Sequence, residues 1–270
     1  LYLDGKNFSY IPKEITQFKN LEKLSVSNAK STLLPPDIQQ LKHLKSFSIS
    51  PSPLSSFSEF PKGILNVKSL EQLSFSSSNI TEIPDEIAHL SNLEYLSITS
   101  SKKLTKLPQS IGKLNKLKGL YLNYNSISEL PEEIGNCSAL EVIDISQNEL
   151  KELPESLSKL KKLKTLDIES NKFEVFPEVI NTLQKDLILK YSDSNEVLGE
   201  ELRKNYPYFY IYRDWESAIK NPKLVYHFSE YYDGTKELPK EFYQMTNLRT
   251  LHLSSVKFKE LSNKIEVLKN

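Results

Sequence analysis

The sequence predicts an α/β solenoid: a curved, right-handed coil with a parallel sheet on one side and short or 3₁₀ helices on the other. Three observations predict it: an apolar pattern that recurs about every 23 residues, a change of apolar spacing inside each repeat, and a proline at a fixed place in most repeats. One such unit cannot bury its apolar stripe alone, so we expect the units to stack and to share one core.

The repeat is clearest in the middle of the chain, where successive units begin 23 or 24 residues apart. Each unit follows the order LxxLxLxxNxIxxLPxxIxxLxx, with Leu, Ile, Phe and Val exchanging at the apolar positions. The unit starts are Leu21, Leu44, Leu70, Leu93, Leu117, Leu140, Leu163 and Leu248.

Both kinds of element follow from the apolar spacing within a unit. The spacing of two in LxLxx places side chains on one face of a strand, and the spacing of three in LPxxIxxL suits a short helix whose first turn tolerates proline. Because the strand side and the helix side differ in width, we expect the strands to line the concave side. Strands are predicted to begin near Leu1, Leu24, Phe47, Leu73, Leu96, Leu120, Ile143 and Leu166.

An asparagine follows the strand in three units, as Asn125, Asn148 and Asn171. We expect each side chain to point inward and to hydrogen-bond backbone groups at the turn that leaves the strand, including groups of the neighbouring coil. The earlier units lack this residue, so we expect looser turns there without a change of fold. The residues at that place are Lys6, Ala29, Ser52, Ser78 and Ser101.

The repeat breaks down between residues 186 and 223. This divides the chain into regular repeats at 1–185, an aromatic-rich part at 186–223 and resumed repeats at 224–270. The irregular part is predicted to alternate strands with helices. The strands are expected at 187–189, 208–212 and 224–228, and the helices at 195–205 and 214–220. Degenerate repeats that continue the same sheet and a small inserted subdomain both fit this order.

The aromatic stretch YFYIY inside the irregular part alternates like a strand with one buried face. If Phe209 and Ile211 point inward, then Tyr208, Tyr210 and Tyr212 form a second binding surface. The opposite register buries the tyrosines, and large rings would then fill the space left by missing leucines.

These units resemble the leucine-rich repeat family, and most closely its LPxxIxxLxxLxxLxLxxN subtype, found in Ras-scaffold, plant Ras-group and spirochaetal repeat proteins. The resemblance covers residues 1 to about 185 and about 226 to 270. It implies a scaffold that binds a protein partner and holds no cofactor. Spirochaetal members imply export and contact with host proteins, whereas Ras-group members imply intracellular signalling scaffolds. The composition, rich in lysine, serine and asparagine and poor in glycine, favours a bacterial protein. The resemblance to the exported spirochaetal members implies a secreted or cell-surface location.

Several other classes of function find no support in the sequence. The 35 basic and 35 acidic residues leave no bulk charge to attract nucleic acid, and no apolar run is long enough to span a membrane. There is no phosphate loop, HExxH, CxxC or calcium-loop pattern, and the lone Cys137 is expected to pack in the core. We therefore expect no enzyme and no metal site. The alternative is a recognition arm of a larger enzyme, such as a repeat-bearing ubiquitin ligase.

A partner surface is predicted on the concave face, at the positions that alternate with the inward leucines. These outward residues are hydroxyls in the early units, with tyrosines added in the middle and acids later. A hydrated surface without a partner is the alternative. The residues directly before the strands of four successive units alternate in charge, which predicts ion pairs between neighbouring coils. They are Glu94, Lys118, Glu141 and Lys164. The proposed contact residues are Tyr95, Ser97, Tyr121, Asn123, Tyr124, Asp144, Asp167 and Glu169.

Overall fold

A computed structural model describes residues 1–7, 10–51, 58–184, 187–191, 211–212, 218, 222, 225, 227–231 and 240–254. The chain forms two compact units, Leu1–Gln184 and Lys185–Asn270. The three-part division predicted from the repeats stays a prediction, because most of 186–223 lies outside the described residues.

Nine strands form one sheet in which each strand neighbours the next along the chain, and the pairs from β1 to β8 are parallel. All eight predicted strands are found, each beginning within one residue of its expected start. The strands are β1 (Tyr2–Asp4), β2 (Lys23–Ala29), β3 (Ser46–Pro51), β4 (Gln72–Ser76), β5 (Tyr95–Thr99), β6 (Gly119–Tyr121), β7 (Val142–Asp144), β8 (Thr165–Asp167) and β9 (Ile188–Lys190).

Short 3₁₀ helices connect the strands, as the spacing of three predicts. In most of them a proline stands directly before the first helical residue, and its carbonyl accepts the first helical hydrogen bond; Ile111 N–H, for example, donates to Pro108 O over 3.1 Å. Proline costs no hydrogen bond here, because the backbone N–H that it lacks would have no partner within the helix. The helices are Gly5–Asn7, Lys13–Gln17, Ile38–Gln40, Lys62–Asn66, Asp85–His89, Gln109–Lys113, Glu132–Asn136, Glu155–Lys159, Glu178–Thr182 and Lys240–Gln244.

The core of the first unit consists of apolar rows that run from coil to coil. Leu96, Leu120, Ile143 and Leu166 pair in register across β5 to β8, and all four are fully buried. A second row comes from the helices, at Ile87, Ile111, Ile134 and Leu157, which are also fully buried. Burying side chains of this size stabilises the fold by about 1.5–3 kcal/mol each, so the rows are the main force that stacks the coils.

The asparagine ladder is confirmed. The amide Nδ2 of Asn125 donates to Leu122 O in its own coil and to Ile98 O in the preceding coil, both over 2.7 Å, while Oδ1 accepts the N–H of Ser101 over 2.8 Å. Asn148 makes the equivalent set of bonds with Leu122 O, Ile145 O and Ile127 N. Each side chain thus satisfies backbone groups of its own and of adjacent coils.

The second unit contains a parallel three-stranded sheet of β10 (Ile211–Tyr212), β11 (His227–Tyr231) and β12 (Thr250–Ser254). Ala218, Val225, Phe228, Phe242 and Met245 form its buried cluster. The expected strand at 187–189 is found as β9, whereas the strand expected at 224–228 begins only at His227. Val225 N–H instead bonds Pro222 O over 3.2 Å, a turn contact that delays the strand. The helices expected at 195–205 and 214–220 lie almost wholly outside the described residues.

Candidate interaction surface

The outward-pointing side chains of β2 to β8 form one surface, which we call the open sheet face. Burial alternates along the strands: in β5, Leu96 and Ile98 are fully buried while Tyr95, Ser97 and Thr99 remain accessible. The pairing register places Ser97, Tyr121, Asp144 and Asp167 side by side on neighbouring strands. The parallel stacking therefore brings residues far apart in the sequence into one row.

The early part of this surface is lined with small hydroxyl side chains. One pair of them is hydrogen-bonded across strands: Ser48 Oγ donates to Ser25 Oγ over 2.9 Å, and both residues are half-buried. This part of the surface therefore presents small polar groups and no aromatic ring or charge from β3 and β4.

The tyrosines of the middle coils lie next to a glycine. A Cβ atom at Gly119 would sit 2.8 Å from Cδ1 of Tyr95 and 2.8 Å from Cε2 of Tyr121, so both rings occupy the space above the bare backbone of β6. Tyr95 is 37% exposed and Tyr121 is half-buried. Tyr124 follows β6 with a φ of 61° and is 53% exposed. Together they form an aromatic patch that stays in contact with solvent.

The acidic residues follow on β7 and β8. Asp144 is half-buried, and its Oδ1 accepts Ser146 N–H over 3.1 Å and Ser146 Oγ–H over 2.7 Å. Asp167 occupies the paired place on β8, and its Oδ1 accepts Glu169 N–H over 3.2 Å. Asp167 is only 7% exposed, so it adds charge to the surface but offers little contact area.

The row of alternating charge before the strands forms ion pairs between coils. Lys118 Nζ lies 2.8 Å from Glu94 Oε2, and Lys164 Nζ lies 2.6 Å from Glu141 Oε2. The hydrogen bond with Glu94 raises the pKa of Lys118, and the one from Lys164 lowers the pKa of Glu141. A further pair joins Lys45 and Glu71 over 3.2 Å, so the row extends into the early coils. The lysines beside the open sheet face are thus engaged with glutamates of adjacent coils.

Reactive chemistry is not evident at this surface or elsewhere in the described ranges. Cys137 is fully buried, its Sγ–H donates to Ile111 O over 3.2 Å, and burial raises the pKa of its thiol to about 12, which suits a packed side chain and not a nucleophile. No cluster of three or more His, Cys, Asp or Glu residues in the described part could hold a metal. None of the helices described is both long and apolar enough to cross a bilayer.

The structure places five of the eight predicted contact residues on β5 to β8: Tyr95, Ser97, Tyr121, Asp144 and Asp167. The other three, Asn123, Tyr124 and Glu169, lie just beyond the ends of β6 and β8. Of the suggested second surface, Tyr208 and Tyr210 lie outside the described residues, and only the backbone of Tyr212 is described, in β10. Gly119 was not among the predicted contact residues. The sequence could have pointed to it, because it is the one outward position of β5 to β8 without a side chain.

Comparisons with known proteins identify the repeat. A family profile for a leucine-rich repeat region matches residues 111–204, and a second leucine-rich repeat profile matches residues 247–265. A search of curated protein sequences finds no match.

Solved structures resemble the fold. A leucine-rich repeat protein of Leptospira interrogans is 26% identical, with a TM-score of 0.46, over 100% of this chain and 76% of that one. The PEPR1–AtPEP1 complex is 22% identical, with a TM-score of 0.51, over 95% of this chain and 34% of that one. The plant peptide hormone receptor RGFR1, solved in complex with RGF2, is 22% identical, with a TM-score of 0.51, over 94% of this chain and 50% of that one.

Proposed function

Because this chain is a leucine-rich repeat protein, we propose that it is a non-enzymatic scaffold whose open sheet face binds a protein partner. The observation that carries the proposal is the solvent-accessible aromatic patch of Tyr95, Tyr121 and Tyr124 in the middle of that face. Tyrosine is enriched among the residues that contribute most to protein interfaces, because one ring combines apolar area with a polar end.

The extent of the surface supports the same proposal. The seven strands from β2 to β8 have six spacings, which gives a width of about 29 Å at about 4.8 Å per strand. An interface of ordinary size needs about 800 Å² from each partner, and a ribbon of this width and a few residues' height is of that order. The plant peptide hormone receptor RGFR1, whose fold is similar, was solved in complex with RGF2.

The test is quantitative affinity capture with three forms of the chain. The first is unaltered, the second carries Tyr95→Ala, Tyr121→Ala and Tyr124→Ala, and the third alters the helix side. The third form carries Glu86→Ala, Lys113→Ala and Lys159→Ala, which are exposed residues of three helices. We expect a protein that is captured by the first and third forms and lost with the second. Equal capture by all three would exclude the open sheet face, provided that circular dichroism shows all three folded.

We further propose that the chain is an exported bacterial protein that contacts host proteins. This rests on the composition and on the spirochaetal character of the repeat. Antibodies against the chain should detect it on intact cells or in the culture medium of the source organism. Detection only inside the cells would favour an intracellular signalling scaffold, and detection on a longer chain with catalytic activity would favour a recognition arm of an enzyme.

A further inference from the structure

Asp144 places a negative charge among the outward positions of β6 and β7, which contain no lysine, arginine or histidine. Lys118 and Lys164, which precede β6 and β8, are held in ion pairs by glutamates of adjacent coils. A partner that binds beside Asp144 therefore meets a negative charge, which favours a positively charged side chain.

Asp144 is placed to contact such a side chain. It is half-buried, more accessible than Asp167, and pairs across the strands with Tyr121. Ser146 binds its Oδ1 from two sides and so fixes the carboxylate. Within the described chain no ion pair or hydrogen bond engages its other oxygen, Oδ2, which is left for a donor from outside.

The rings of Tyr95 and Tyr121 are the second feature of the surface near Asp144. The rings of Tyr95, on the neighbouring strand, and Tyr121, on the same strand, both lie where a Cβ atom of residue 119 would be in close contact, so they depend on Gly119 having no side chain. Both rings are therefore positioned against the sheet. Tyr121 lies one strand away from Asp144, and Tyr95 lies two strands away. Aromatic faces attract cations, and arginine in particular stacks its planar guanidinium on a ring while its N–H groups donate to a carboxylate.

We propose that Tyr95, Gly119, Tyr121 and Asp144 form a binding site for an arginine side chain of the partner. This inference rests on the proposed function, since it names the chemistry that the open sheet face recognises. Because Gly119 has no side chain, the two rings lie close to the sheet. The guanidinium group stacks on the rings and donates hydrogen bonds to the carboxylate of Asp144.

The test uses a library of random 12-residue peptides displayed on phage, selected against the immobilised chain. We expect the selected peptides to be enriched in arginine. Replacing their arginine by citrulline, which keeps the shape but removes the charge, should weaken binding about tenfold, as should Asp144→Asn, since one charge-assisted hydrogen bond accounts for about that factor. Gly119→Ala should weaken binding while leaving the charge of the surface unchanged, because the new methyl group displaces both rings.

A matched control is Glu86→Gln on the helix side, which removes one negative charge from an exposed residue far from the rings and should leave the affinity unchanged. Far-ultraviolet circular dichroism and a thermal melt show that each variant is folded. Peptides that require the three tyrosines but bind Asp144→Asn and the citrulline form equally well would overturn the arginine site and leave the proposed function standing. Peptides that bind the triple tyrosine variant equally well, or no selected peptides at all, would overturn both.

Discussion

The early coils, from β2 to β5, and the middle coils, from β6 to β8, form the same sheet with strands of different length. The early strands have seven, six, five and five residues, whereas each middle strand has three. The apolar rows and the helices are alike in both regions, so the difference lies in how far the strand pairing extends.

The shorter strands are those followed by the asparagine. In the middle coils the amide of Asn125 binds the backbone carbonyls of Ile98 and Leu122, and the pairing of β5 with β6 ends at Ser97 and Tyr121. In an early coil without the amide, the pairing of β4 with β5 continues to Ser76 and Thr99. The shorter strands thus occur where an asparagine side chain binds backbone carbonyls, and the longer ones where it is absent.

The residue before the asparagine place is alike in both regions. It adopts a left-handed conformation with φ between 53° and 61° at Ser77, Ser100, Tyr124, Gln147 and Ser170. The turn itself is therefore the same whether or not an asparagine follows. The expectation of looser early turns stays a prediction, which the variants below test.

The largest effect should be the same in both regions, because the inward row is common to them. Ile143→Ala should lower the free energy of unfolding by about 2–5 kcal/mol, and Phe47→Ala in β3 by about 3–5 kcal/mol, since each leaves a cavity in a fully buried row. Urea denaturation followed by circular dichroism measures both. Val142→Ala, at the half-exposed neighbour of Ile143, is the control and should cost under about 1 kcal/mol. A negligible loss at Phe47 would show that the early coils do not depend on this row.

The next effect should separate the two regions. Asn148→Ala should cost about 3 kcal/mol, because it leaves Ile127 N–H and the carbonyls of Leu122 and Ile145 without their partner in a buried turn. Ser101→Ala, at the same place in an early coil, should cost about 1 kcal/mol because only a hydroxyl bond to Ser78 is lost. Equal losses would mean that the amide is no more important than the hydroxyl. Amide hydrogen exchange at Ile127 should speed up in Asn148→Ala alone.

A third comparison concerns two glycines on the helix side. A Cβ atom at Gly135 would overlap the carbonyl oxygen of Ser156 in the next coil, so Gly135→Ala should cost about 1–3 kcal/mol. At Gly63 in the early coils the nearest atom is Leu34 Cβ, at an ordinary 3.5 Å, so Gly63→Ala should change the stability little. Thermal melting of both variants checks this. If Gly135→Ala has the same melting temperature as the unaltered protein, the coils are less tightly stacked than the backbone positions indicate.

The smallest effect concerns buried hydroxyls. Among the described residues Ser156 Oγ has no hydrogen-bond partner, whereas the buried hydroxyls of Ser78 and Ser101 bind each other. Ser156→Ala should therefore be neutral or raise the free energy of unfolding by up to about 1 kcal/mol, because it removes an unsatisfied polar group. A destabilised Ser156→Ala variant in the same urea titration would show that the hydroxyl does have a partner in solution, such as a bound water.

Much of this protein could be predicted from its sequence alone. The spacings of two and three residues, repeated every 23 or 24 residues, determined the strands, the 3₁₀ helices and the inward direction of residues such as Ile143, because short-range periodicity decides which side of the chain is buried. The asparagine ladder followed from the same pattern. The second unit was less predictable: the strand expected at 224–228 starts at His227, where a turn bond of Val225 outweighs the apolar pattern.

Only the tertiary structure decided how the outward residues combine. The sequence placed Tyr95, Tyr121 and Asp144 on one face. The register of the stacked strands brought the two rings against Gly119 and paired Asp144 with Tyr121. It also buried Asp167 while leaving Asp144 accessible, although both occupy the same place in their repeats. Periodicity determines the direction of a side chain, which is a property of each coil by itself. Accessibility and neighbours depend on the coils packed on either side, and no single repeat contains that information.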